Sequence, residues 1–255
     1  MSVVSAWAHV ACGFAAAGAG AVNAMAGGGT LISFPAMTAV GLPSVEANVT
    51  NTVALCPGYL GGAYAQRRQL SEEADSLRTP LAVAAVSGLG GSLLLVLTSD
   101  ALFRQIVPLL ILLSCLLLAL QDRMRAWLAR RQAGGPTATN RRLEIGGVAL
   151  ASVYGGYFGA GLGIMLLAVL AMFTNRSITA ANAVKSLIAL AVNVFAAAFL
   201  ALSGKVSWSL VAVMAPASLL GGHAGGLLIG VIPPRRLRPL IVAFGIVVAV
   251  IYLVR

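Results

Sequence analysis

Apolar residues run along this chain in long blocks, at 81–97, 106–120, 145–173, 178–202, 208–232 and 239–254, and only short polar gaps divide them. Several blocks approach the ~20 residues that an α-helix needs to cross a bilayer. The pattern therefore predicts a chain of membrane helices, with spans near 46–66, 80–98, 103–121, 178–202, 207–231 and 237–254. Two further segments, roughly 3–41 and 143–174, are apolar but interrupted by glycines, and they read as broken helical hairpins. "AGGGT" at 26–30 and "GAGLG" at 159–163 mark the interruptions.

Composition supports the same class. Of 255 residues, 59% are hydrophobic and 9% charged, with a mean hydropathy of +0.94. A soluble domain carries about 25% charged residues, so the chain lacks the material for a water-facing surface. The start "MSVVSAWAHVACGFAAAGAG" has no basic leader region, so the first membrane element, and not a cleaved signal, is expected there. Cys12, Cys56 and Cys115 sit in apolar segments without paired spacing, which argues for small buried hydrophobes and against a disulfide framework or a zinc site. His9 and His223 are isolated and are expected to be packed, neutral side chains.

A shift of 134 residues lays the chain on itself without gaps. Ala26, Gly27 and Gly29 fall on Ala160, Gly161 and Gly163, and Ala47 with Asn48 falls on Ala181 with Asn182. Gly88, Gly91, Leu93, Leu94 and Arg104 fall on Gly222, Gly225, Leu227, Leu228 and Arg238. Two membrane repeats follow, 1–120 and 143–255, joined by a basic linker at 121–142. Each would be a glycine-broken hairpin with three spans after it, about eight predicted spans in all.

Charge fixes the expected orientation. With the linker in the cytoplasm, that side receives Arg67, Arg68, Arg78, Arg123, Arg125, Arg130, Arg131, Arg141, Arg142, Arg176, Arg235, Arg236 and Arg238. The outside receives Arg104, Lys205 and Arg255, and Lys185 stays within a span. That sorting obeys the positive-inside rule and puts the C-terminus outside. It also accounts for the net charge of +10 without nucleic acid as a partner. An odd number of crossings inverts the second repeat. The expected fold is thus an all-α polytopic membrane protein of two inverted-topology repeats, an architecture that serves alternating access in transporters.

The candidate site lies at the two breaks. Irregular backbone survives at membrane depth only where protein or a water-filled cavity covers it, and N–H groups at a half-helix N-terminus suit an anion. Around the first break stand Asn23, Gly27, Gly28, Gly29 and Thr30, with Asn48, Thr50, Asn51 and Thr52 opening the next span. Around the second stand Gly161 and Gly163, with Asn182, Lys185 and Ser186. The competing reading for glycines is close helix packing, and for the Asn and Thr residues interhelical glue. Lys185 has no evident acidic partner; the seven acids are scarce, and Glu46 at a span's end is the nearest in the motif. A buried cation fits a site whose counter-charge arrives with the substrate, and snorkelling to the surface is the alternative.

At these residues the sequence resembles the TauE/SafE family of sulfite-exporter-like membrane proteins. The first-half likeness rests on Asn23, the run Ala26 to Gly29, Pro35, and Thr50 with Asn51. The second rests on Gly159, Gly161 and Gly163, then Asn182, Lys185 and Ser186, with Gly-Leu-Gly in place of three glycines. The resemblance implies an inner-membrane transporter of a small sulfur-containing or organic anion such as sulfite or sulfoacetate. The partners expected are that anion and the lipid bilayer, with a homodimer allowed; no cofactor and no metal is expected. Carriage of another solute (a carboxylate or a metal ion) and a non-transporting role stay open. No span shows the carboxylate or His/Cys cluster that cation ligation uses, and no catalytic Ser/His pair, HExxH or Walker motif points to an enzyme.

Overall fold

The computed structural model describes residues 5–25, 28–65, 74–133, 140–228 and 234–254, and all regular structure there is helical. Among the described residues ten helices follow in order: α1 (Ala6–Met25), α2 (Thr30–Ala39), α3 (Ser44–Ala65), α4 (Ala74–Leu97), α5 (Asp100–Ala133), α6 (Arg141–Tyr157), α7 (Leu162–Phe173), α8 (Ile178–Ala201), α9 (Trp208–Leu228) and α10 (Pro234–Val254). Stretches of three of them, Leu77–Leu97, Asp100–Met124 and Ala180–Ala201, are long and apolar enough to cross a bilayer; α2 and α7 are short apolar helices. Side chains such as Leu97, Leu150, Leu220 and Leu240 are exposed on the surface, as an environment of hydrocarbon allows. The protein is an integral membrane protein.

The helix ends sort to two poles. At one, Lys205 Nζ donates to Val96 O (2.8 Å), Ser207 N to Thr50 Oγ1 (3.0 Å) and Val45 N to Asp100 Oδ1 (2.9 Å), while the Tyr252 hydroxyl meets Thr38 Oγ1. These bonds gather the α2–α3, α4–α5 and α8–α9 connections with the end of α10. At the other pole, Glu144 accepts from Arg176 (2.8 Å) and Arg141 (3.5 Å), and Asn140 N donates to Phe173 O. Arg238 pairs closely with Asp122 there. The α1–α2 hairpin thus opens at the Lys205 pole and the α6–α7 hairpin at the Glu144 pole.

Packing between the helices pairs each hairpin with a distant helix. The first helix, α1, lies along α9, and α6 lies along α4; α3 crosses α8, and α5 runs beside α10. Glycine permits the first two contacts at backbone distance. A Cβ on Gly91 would stand 2.0 Å from Val153 O, and one on Gly225 would stand 2.6 Å from Ala21 Cα. Gly91 and Gly225 are 134 residues apart, and so are Ala21 and Gly155, the latter between Val153 and Tyr157.

The structure departs from or adds to the sequence reading at three places. Within the basic stretch at 121–142, α5 continues helical through Ala133. Gln121 is buried there at 3% exposed, and the half-exposed Asp122 holds the buried Arg238. His223 is exposed, because α9 turns Gly221, Gly222 and Gly225 towards its neighbours and their intervening residue away. Glu144, at the start of α6, is a buried acid that the sequence did not single out, neutralised by arginines on both sides. Gly27, Arg67, Arg68 and Arg255, and the side chains of Arg125, Arg131, Arg235 and Arg236, lie outside the described residues. The three cysteines are free, Cys12 and Cys115 buried and Cys56 partly so.

Candidate functional site

The first break is made by Gly28, whose φ of +94° is a left-handed conformation that a side chain would strain. It lets α1 stop and α2 start within a few residues. Gly29 caps α2, and its N–H, an otherwise orphaned donor of the first turn, is taken by Asn23 Oδ1 at 2.7 Å. A Cβ on Gly29 would stand 2.1 Å from Ala19 O, so only glycine lets the two helices of the hairpin meet this closely. One turn on, Ser33 Oγ donates to Asn51 Oδ1 at 2.6 Å, joining α2 to α3 in a fully buried contact. The Tyr59 hydroxyl reaches both Asn23 and Asn193, where α3 crosses α8. Tyr59 and Asn193 are again 134 residues apart.

At the second break, Gly159 (φ +82°) and Gly161 (φ +83°) are both left-handed, and Gly161 caps α7. The carbonyl freed at Ala160 accepts from Tyr154 Oη (2.6 Å) and Ser114 Oγ (3.0 Å), so the broken backbone is satisfied by side chains of α6 and α5. Beside the start of α7 lies Lys185. Its Cδ and Cε stand 3.7 and 3.8 Å from where a Cβ on Gly163 would be. Its ammonium donates to Asn182 Oδ1 at 3.4 Å, and Ser186 Oγ donates to Asn182 O at 2.9 Å. Lys185 thus has a neutral amide one helical turn away as a hydrogen-bond acceptor, and further contacts add to it.

The two breaks approach each other. Phe158, in the second turn, packs edge-on against Phe34 of α2 with ring centroids 5.7 Å apart, and Phe103 and Tyr252 close the cluster. The structure thus assembles Asn23, Gly28, Gly29 and Asn51 around one helix start, and Gly161, Gly163, Asn182, Lys185 and Ser186 around the other. Thr30 is the buried first residue of α2.

Three expected site residues also bond helices or backbone. Asn48 Nδ2 donates to Tyr157 O at 2.7 Å, clamping α3 to the end of α6. Thr50 Oγ1 receives Ser207 N, and Thr52 Oγ1 donates back to Asn48 O within its own helix. Ser33, Tyr59, Asn193, Ser114 and Tyr154 join the breaks without having been named as site residues. The serines gave no signal in the sequence, since a Ser in a membrane helix bonds its own backbone equally well.

A family model, described as sulfite exporter TauE/SafE, matches residues 12–252. The chain belongs to the TauE/SafE family. Among curated TauE/SafE-like relatives, a "probable membrane transporter protein YfcA" of Escherichia coli (strain K12) is 29% identical over 231 residues, covering 90% of this chain and 83% of the relative. A "probable membrane transporter protein" of Haemophilus influenzae is 26% identical, covering 87% of this chain and 85% of its own length. One from Sinorhizobium sp., ORF9, is 25% identical, with 91% and 87% covered. No solved structure matches. This TauE/SafE member is a membrane transporter, and its glycine breaks lie within the matched residues.

Proposed function

We propose that the chain is a secondary transporter that moves a small anion, sulfite or an organosulfonate such as sulfoacetate, across the bacterial inner membrane by alternating access. The two moving units are inverted repeats, 1–120 and 143–255, with the 121–142 segment cytoplasmic and the C-terminus outside. The observation that carries the reading is the matched pair of breaks. Two hairpins that open at opposite poles each present a glycine-capped helix start, and the residues facing those starts, Asn51 and Lys185, are 134 residues apart. Exchange of partners that are 134 residues apart relates α1–α9 to α6–α4, α3–α9 to α8–α4, and leaves α3–α8 and α5–α10 paired with themselves. A pseudo-two-fold of this kind is what lets one state be the mirror of the other.

An anion is favoured over a cation on electrostatic grounds. The start of α7 carries a partial positive charge of about half an elementary charge, and the Lys185 stem lies against it. An anion at this place would be favoured by both. The sulfur oxyanion is the finer part of the proposal and is supported by the family's description. Uptake into proteoliposomes, screening sulfite, thiosulfate, sulfoacetate, sulfate and carboxylates with and without a pH gradient, tests it. Saturable uptake of a sulfur anion is expected; uptake of carboxylates alone would replace the substrate, and uptake of metal cations alone would overturn the reading.

A further inference from the structure

A cavity of about 830 Å³ lies away from the breaks at the Lys205 pole, between the α1–α2 hairpin, the start of α5 and the last turns of α10. Its composition is graded. Below the rim the cavity is walled by Ile32 of α2 and by Phe244 and Val248 of α10. Phe244 and Ile251 are each 45% exposed as well, so the cavity opens sideways to where the acyl chains of the bilayer lie. The shallow part is polar, with Thr38, Ser44 and Arg104 on its rim. Phe244 precedes Tyr252, whose hydroxyl sits at the rim on Thr38, by eight residues, so the apolar part reaches about 12 Å below the rim at 1.5 Å per residue.

An apolar slot open to lipid, with a cation at the headgroup level, has the shape and charge of a phospholipid site. We infer that this cavity holds one anionic phospholipid, its phosphate on Arg104 and an acyl chain between α2 and α10. Asp100 also lines the rim, but its Oδ1 accepts Val45 N, and it stands at the N-termini of α3 and α5, where the helix poles offset its charge. Arg104 lies one turn further along α5 and is exposed, so its guanidinium is the group available to a phosphate. Because α2 forms one wall, a seated acyl chain braces the first hairpin whatever solute the transporter carries.

Purified full-length protein in detergent, titrated with phosphatidylglycerol or phosphatidylcholine of matched acyl chains and read by native mass spectrometry and by melting temperature, tests this. Phosphatidylglycerol is expected to bind about fivefold more tightly, the preference of one basic residue for an anionic headgroup. Arg104→Gln should lower it to the phosphatidylcholine level, and Arg104→Lys should keep the preference. Ala36→Phe, which fills the slot from α2, should weaken both lipids. Equal binding of the two lipids by the parent, a preference that survives Arg104→Gln, or unchanged binding by Ala36→Phe would each overturn the assignment.

Discussion

Lys185 and Asn51 answer to each other across the 134-residue shift, yet one carries charge and the other does not. If the ammonium anchors the anion, Lys185→Met should weaken binding of sulfite or a sulfonate by tenfold or more, as loss of a charge-assisted contact of ~1.5–3 kcal/mol implies. Lys185→Arg should retain part of the affinity. Calorimetric titration of the purified variants checks both, and a Met variant that binds like the parent would make Lys185 a structural residue. Asn48 is expected to behave in the opposite way. Its side chain is buried, its Nδ2 spends itself on Tyr157 O, and its Oδ1 has no partner among the described residues. Asn48→Ala should cost ~1–3 kcal/mol of stability by leaving that carbonyl unbonded, seen as a lower melting temperature, while the anion affinity of the surviving protein stays within twofold. Lys185 was legible because charge is conspicuous in an apolar run. Asn48 looked like a binding residue for the same reason, and nothing in the sequence says that the amide of residue 48 meets the backbone of residue 157.

The helices themselves were largely legible. The expected spans 46–66, 80–98, 178–202 and 207–231 match α3, α4, α8 and α9 closely, because a run of hydrocarbon side chains leaves the backbone no partner but itself. The ends were less so. The third span continues into α5 as far as Ala133, since a helix that leaves the bilayer can go on in water, where arginine and glutamine suit it. The breaks were placed by their glycines, but their left-handed φ and the three-residue bond network at Ala160 depend on α5 and α6 meeting. Two predictions belong here. Gly28→Leu and Gly161→Leu put a side chain into a conformation that costs ~1–2 kcal/mol and bring it against Leu118 or Leu117. Transport should be lost while much of the protein still inserts, as measured by flux against the folded fraction in gel filtration. Gly91→Leu and Gly225→Leu, by contrast, should lower the melting temperature, because a side chain at either cannot fit between touching backbones. Unchanged melting of both would mean that these helix pairs part more readily than their spacing indicates.

At the scale of the whole molecule, the cations among the described residues divide unequally between the two poles. Arg123, Arg141, Arg142, Arg176 and Arg238 gather with Glu144, and Lys205 and Arg104 lie opposite. In intact cells, a cysteine at Thr137 should resist a membrane-impermeant maleimide, and one at Leu253 should react. The reverse result would turn the orientation over. What the sequence could not foretell is how the units exchange partners, α1 onto α9 and α6 onto α4, since that is a property of packing and not of any segment. That exchange makes alternating access the central claim, and trans-stimulation tests it most directly. Proteoliposomes loaded with unlabelled sulfite or sulfoacetate should take up the labelled anion several times faster than empty ones, because a carrier that rocks between two faces returns faster with cargo than without. Uptake that is equally fast into empty and loaded vesicles, and that does not saturate, would describe an open pore and contradict the mechanism.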